Sequence, residues 1–140
     1  MSSFSARKYL RVMISIIPSG QINSYLRFNS DTGNNYAEHF LTNMAGGSDI
    51  TSASFLNIET STSTVPVFST LDIVNIAAQE KLVFMQANSA SAAGAATAPD
   101  GSYGIGKWAN TANQITTISL TNLGTGDYGS GTQIVVLGHD

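Results

Sequence analysis

Two imidazoles, one glycine string, a cluster of side-chain oxygens and a few aromatic rings are the places where residue types and spacing could do chemistry. His39 and His139 are the only histidines in 140 residues, and they form no ligand-spaced pair such as His-x-x-x-His. His39 lies between Glu38 and Phe40 in an alternating stretch, which predicts a surface or interface imidazole rather than a base. Serine is abundant, yet no Gly-x-Ser-x-Gly elbow occurs, and a triad would have to recruit one of these two histidines. The expectation is a protein that is not an enzyme.

Gly124, Gly126 and Gly129 match the dinucleotide fingerprint letter by letter. That loop must open a helix whose N-terminal amides hold a pyrophosphate, with an acidic residue about twenty positions further on. Here 11 residues follow Gly129, including Gly131 and the apolar run 134–137, so the string reads as a turn between strands. Asn29, Asp31, Asn34 and Glu38 supply oxygens of the kind calcium takes, but the order of acids in an EF-hand is missing. No metal and no cofactor are expected. Tyr103, Trp108 and Tyr128 could stack on a sugar, as aromatic faces do in β-sandwich binding modules; core or interface packing competes for each ring.

The oxygens at 29–35 have a second explanation. Tyr25, Arg27 and Asn29 alternate with Leu26 and Phe28, the period of a half-buried strand. Ser30, Asp31, Thr32, Gly33, Asn34 and Asn35 then concentrate turn formers, whose side-chain oxygens bond backbone amides two residues on. Tyr36 restarts a strand. Asn29, Asp31, Gly33, Asn35 and Tyr36 therefore read as a structural turn motif that holds a hairpin.

The elements around it follow the same period. Leu10, Val12, Ile14 and Ile16 mark a first strand over 9–17, expected to pair with the strand over 22–29 as its antiparallel neighbour. Further strands are predicted over 36–41, 55–58 (short, at an edge), 82–87, 103–108, 115–121 and 133–137. A phase switch between Ile73 and Val74 predicts a bulge, or cover on both faces, within 65–76; 43–49 and the Ala/Ser-rich 87–98 read as loops. No window holds an apolar 3.6-residue period of helical length. About eight strands with turn formers between them point to an all-β fold, an antiparallel β-sandwich of jelly-roll-like type. Residues 1–8 read as a flexible N-terminal arm and 9–140 as one domain. The core is expected at Leu10, Val12, Ile14, Ile16, Leu26, Phe28, Ile118, Leu120, Val135 and Leu137.

Charged residues make up only 11% of the chain, against roughly a quarter in ordinary soluble domains. Ser, Thr and Asn occupy 43 positions, so the solvent face is expected to be hydroxyl and amide, a surface that suits packing against copies of itself or a larger lattice. Six scattered basic residues and a net charge of −3 argue against nucleic acid. No run approaches a membrane span, no signal-like apolar stretch opens the chain, and no cysteine is present. The expectation is a protein made in a cytoplasm that meets neither nucleic acid nor membrane.

Leu26, Phe28 and Asn29, then Asp31 and Gly33, then Asn35 and Tyr36 form a pattern that resembles small virion proteins of tailed bacteriophages and related viruses. The strand at 115–120, the Gly-rich turn at 126–131 and a last strand ending at Gly138 are similar to theirs as well, so the resemblance spans 9–138. It implies a jelly-roll sandwich located in the virion, a capsid decoration or cement subunit, oligomeric and typically a homotrimer, in contact with the major capsid protein. A carbohydrate- or receptor-binding module of a fibre or tail is the alternative, with Trp108, Tyr103 and Tyr128 on its sugar site.

Overall fold

A computed structural model describes residues 3–59, 65–92 and 94–140. Ten strands run in the order β1 Tyr9–Ile16, β2 Ser24–Phe28, β3 Tyr36–Thr42, β4 Ala45–Ala53, β5 Leu56–Glu59, β6 Val67–Val74, β7 Lys81–Ser89, β8 Asp100–Trp108, β9 Ile118–Asn122 and β10 Gln133–His139. They form a seven-stranded sheet in the order β10-β1-β6-β7-β8-β3-β4 and a three-stranded sheet in the order β5-β2-β9. Every pairing is antiparallel, and one apolar core joins the two sheets, so the chain is an antiparallel β-sandwich.

Alternation decides which side chains fill it. Leu10, Val12, Ile14 and Ile16 of β1, Val67, Leu71 and Ile73 of β6, and Val83 and Met85 of β7 point inward against Leu26, Phe28, Leu56, Ile58 and Ile118 of the smaller sheet. Of the expected core, Leu120 is only partly buried, while Val135 and Leu137 face solvent. Their misplacement follows from register. β10 sits against β1 with Val12 opposite Val136, which turns Val136 inward and its two neighbours outward.

Only β3–β4, β6–β7 and β7–β8 join neighbours within one sheet, so most connections cross the sandwich. β1 and β2 are accordingly not partners: β1 lies between β10 and β6, β2 between β5 and β9. The link between them passes under the glycine string. Gly126 N–H donates to Gln21 O at 2.7 Å and Gly129 N–H to Ile17 O at 2.6 Å. A Cβ at Gly126 would come within 2.5 Å of the Gly20 carbonyl carbon, so the fingerprint-like glycines serve close backbone packing.

Other boundaries also moved. The expected loop 43–49 contains a hairpin, because Asn43 and Met44 both take positive φ (50° and 61°), the conformation a tight two-residue β-turn requires. β6 carries no bulge; its register is unbroken on both sides and the strand stops at Val74. Residues 3–8 lie along the body rather than free of it: Phe4 N–H donates to Thr116 O at 2.9 Å, and Arg7 pairs with Asp140 at 2.8 Å. Much of the amide content is internal bracing. Buried Asn75 donates through Nδ2 to Arg7 O and Ile115 O, and its Oδ1 accepts from Ile115 N–H at 2.6 Å.

Candidate functional site

The turn motif between β2 and β3 does not close a hairpin. β2 belongs to the three-stranded sheet and β3 to the seven-stranded one, so 29–35 form a corner that carries the chain across the sandwich. Asn29 and Ser30 absorb the turn with φ of 52° and 58°. Asn29 Oδ1 accepts from Thr116 N–H (2.9 Å) and Thr117 N–H (3.0 Å), and its Nδ2 donates to Gln114 O at 2.8 Å. Asp31 organises the other half: Oδ1 accepts from Gly33 N–H at 2.8 Å, Oδ2 from Asn35 Nδ2 at 2.9 Å and from Trp108 Nε1 at 2.7 Å. Burial pushes the Asp31 carboxyl up, but the donors from Trp108, Asn35 and Gly33 outweigh it and hold it below the usual range.

Tyr36 completes the corner. Its hydroxyl accepts from Phe28 N–H at 3.0 Å, and burial pushes the phenol up to about 12. The Phe28, Tyr36 and Trp108 rings meet at centroid distances of 5.9 to 6.4 Å. Trp108 is 1% exposed, so it is unavailable as a sugar platform; its indole is what the Asp31 carboxylate was placed to receive. Tyr128 is half-buried, with its hydroxyl bonded to Ser24 Oγ at 3.1 Å, and burial raises it too. Tyr103 alone of the three expected sugar residues faces solvent, on the side of β8 opposite Trp108. The three do not share a surface.

The four oxygen residues considered for calcium do not converge either. Asn29 and Asp31 are committed to the corner, and Glu38 points into the core. Asn57 of β5 donates its backbone N–H to Glu38 Oε2 at 2.9 Å and its side-chain amide to Oε1. Burial dominates those bonds and pushes the carboxyl up to about 7. Among the described residues no group of three or more His, Cys, Asp or Glu could hold a metal ion.

What remains unspent is the outer face of the seven-stranded sheet. The registers set its side chains in rows. One row runs His139, Tyr9, Val74, Leu82, Lys107, Ala37; the next runs Leu137, Arg11, Asp72, Phe84, Ile105, His39, Asp49. These rows line a groove of about 1030 Å³ to which all seven strands contribute. Its apolar residues are widely open: Leu82 is 55% exposed, Phe84 47%, Ile105 59% and Leu137 53%. Its cations are paired, Arg11 with Asp72 at 3.5 Å and Lys107 with Glu80 at 2.8 Å, and His39 Nδ1 lies within hydrogen-bond distance of Asp49 Oδ1 at 2.7 Å. His139 stacks on Tyr9 with centroids 5.1 Å apart. The two histidines stand five strand spacings apart, roughly 24 Å along the sheet, too far to serve one reacting atom.

Sequence reasoning missed this face. The strand predicted over 82–87 carried the signal, in Leu82 and Phe84 alternating with the inward Val83 and Met85. No family model, curated protein or solved structure matches the chain.

Proposed function

We propose that this chain is a non-enzymatic structural subunit of a virion, a capsid decoration or cement protein that oligomerises and braces the shell. In this reading the outer face of the seven-stranded sheet is the surface set against the major capsid protein. One observation carries it: Leu82, Phe84, Ile105 and Leu137 stand open on a continuous groove whose cations Arg11 and Lys107 are each paired with a carboxylate. A monomer gains nothing from such a face, whereas covering it removes apolar surface from water at about 25 cal/mol per Å². Pre-paired charges keep that cover from stranding a lone ion. A modest contact repeated over many copies stabilises a shell because the contacts act together. The resemblance of 9–138 to small virion proteins supplies the lattice.

The test uses an antibody against the whole chain. Immunogold should label the surface of virus particles from the source material, and particles stripped of the protein should open at lower temperature. Phe84→Asp should fold and yet fail to rebind stripped particles. Absence of the chain from particles overturns the proposal.

A carbohydrate-binding module is the second reading, favoured by a smaller groove of about 380 Å³ on the same face, where Phe68 and Tyr103 flank Gln86, Asn88 and Asp100. Selective binding on a glycan array that Tyr103→Ala abolishes, with no particle labelling, would establish it.

A further inference from the structure

β10 leaves a long unguarded backbone edge. It pairs with β1 through seven uninterrupted residue pairs and ends the seven-stranded sheet, so its far side offers N–H and C=O groups to solvent. Among the described residues no backbone bond outside the ladder reaches 133–139. Edges of this kind are normally blunted by bulges, kinks, Pro or charge. The opposite edge is: β4 shifts register twice against β3, carries Gly46 and Ser52 at positive φ, and holds Asp49. β10 has no bulge, no Pro and no Asp, Glu, Lys or Arg, while Ile134, Val135 and Leu137 stay exposed.

We propose that β10 pairs antiparallel with β10 of a second copy across a twofold axis at Val136, joining two seven-stranded sheets into one. A twofold perpendicular to the sheet keeps inward residues opposite inward ones, so it must pass through a residue. At Val136 the strand is self-complementary: Val135 faces Leu137, Ile134 faces Gly138, Gln133 faces His139. Moving the axis to Val135 sets Gln133 against Leu137, and moving it to Leu137 sets Asp140 against Ile134. On the outer side Val135, Leu137 and their two mates form one apolar cluster beside Tyr9, continuous with the groove. No like charges face each other. This contact is twofold, unlike the threefold arrangement that the resemblance leads one to expect, and it holds whether or not the chain belongs to a virion.

The chain has no cysteine, which makes the register directly testable. Paired residues at the axis have Cα atoms about 4.5–5.5 Å apart, within disulfide reach. Wild-type protein should sediment as a dimer, and Val136→Cys should cross-link rapidly on mild oxidation while Gln133→Cys does not. The double variant Val135→Lys/Leu137→Lys alters only solvent-facing side chains; it should match the wild-type unfolding curve at concentrations dilute enough for both to be monomeric, and weaken the dimer roughly tenfold or more. A monomer, a trimer, or equal cross-linking at 133 and 136 overturns the proposal.

Discussion

Glu38 makes the stability of this sandwich depend on pH in a direction opposite to most carboxylates. Its carboxyl sits between β3 and β5, bonded to the backbone and side-chain amides of Asn57, and burial raises it from 4.5 to about 7. A carboxyl raised in the folded state binds its proton there while the unfolded chain has already released it. The contribution of Glu38 is therefore full below pH 4.5, falls as pH rises through the window from 4.5 to 7, and is gone above it. A rise from 4.5 to about 7 corresponds to about 3 kcal/mol, and the steepest slope approaches about 1.4 kcal/mol per pH unit. Asp31 and Asp140, both held low, act only at more acidic pH, and Tyr36 and Tyr128, both pushed up, act only at alkaline pH. The window thus belongs to Glu38 among the carboxyls that folding shifts. Urea unfolding at fixed pH, followed by the fluorescence of the sole tryptophan, buried Trp108, reads it directly. Wild type should lose about 3 kcal/mol between pH 4.5 and 7.5. Glu38→Gln keeps an oxygen for the Asn57 N–H, and a turn of the Asn57 amide satisfies its new NH₂, so its stability should stay flat and near the wild-type acid value. Equal slopes in the two proteins would refute the reasoning.

Two further predictions concern buried polar atoms. Asp31→Ala leaves the Trp108 indole N–H unpaired and frees the Gly33 and Asn35 donors, which should cost about 2–4 kcal/mol, whereas Trp108→Phe should cost less because Asp31 keeps two donors. A double-mutant cycle should show a coupling of about 1.5–3 kcal/mol, and additivity would remove the corner's indole–carboxylate bond from the account. Ser69 Oγ is the reverse case, a buried hydroxyl with no partner among the described residues. Ser69→Ala should leave thermal stability unchanged or raise it by up to about 1 kcal/mol, and a loss beyond that would mean that a bound water serves the hydroxyl.

How far the fold was legible depends on whether the deciding contact was local. Leu10, Val12, Ile14 and Ile16 announced their buried face because alternation is written within one strand. The run from Ile134 to Leu137 has no alternation, so only its pairing with β1 could say that Val136 turns inward. Asp31 and Gly33 were correctly read as bonded two residues apart, yet the same window could not show that Trp108, 77 positions away, supplies the third donor. Nor could it show that the flanking strands enter different sheets, since a hairpin and a sandwich corner use the same turn formers. Glu38 stood out only as one of four side-chain oxygens; its burial depends on Asn57, on a strand that alternation alone does not bring opposite it.

The division of labour inside the chain bears on where recognition can reside. Side chains that usually advertise a site, Asn29, Asp31, Tyr36, Glu38, Asn57, Asn75, Lys81 and Trp108, are consumed by the interior. Lys81 shows how completely: its ammonium is buried and donates to the carbonyls of Gln79 and Asn110, so it closes loops instead of presenting charge. On the outer face Arg11 and Lys107 are paired with Asp72 and Glu80, and no local motif marks the rows that run across β10, β1, β6, β7, β8 and β3. A surface written one residue per strand cannot show as a sequence signature, because its members are separated by whole strands. Flat contact with another protein tolerates that form of coding, since it needs area and shape rather than converging functional groups. Catalysis asks instead for functional groups that converge on one point, a coding that local motifs can carry.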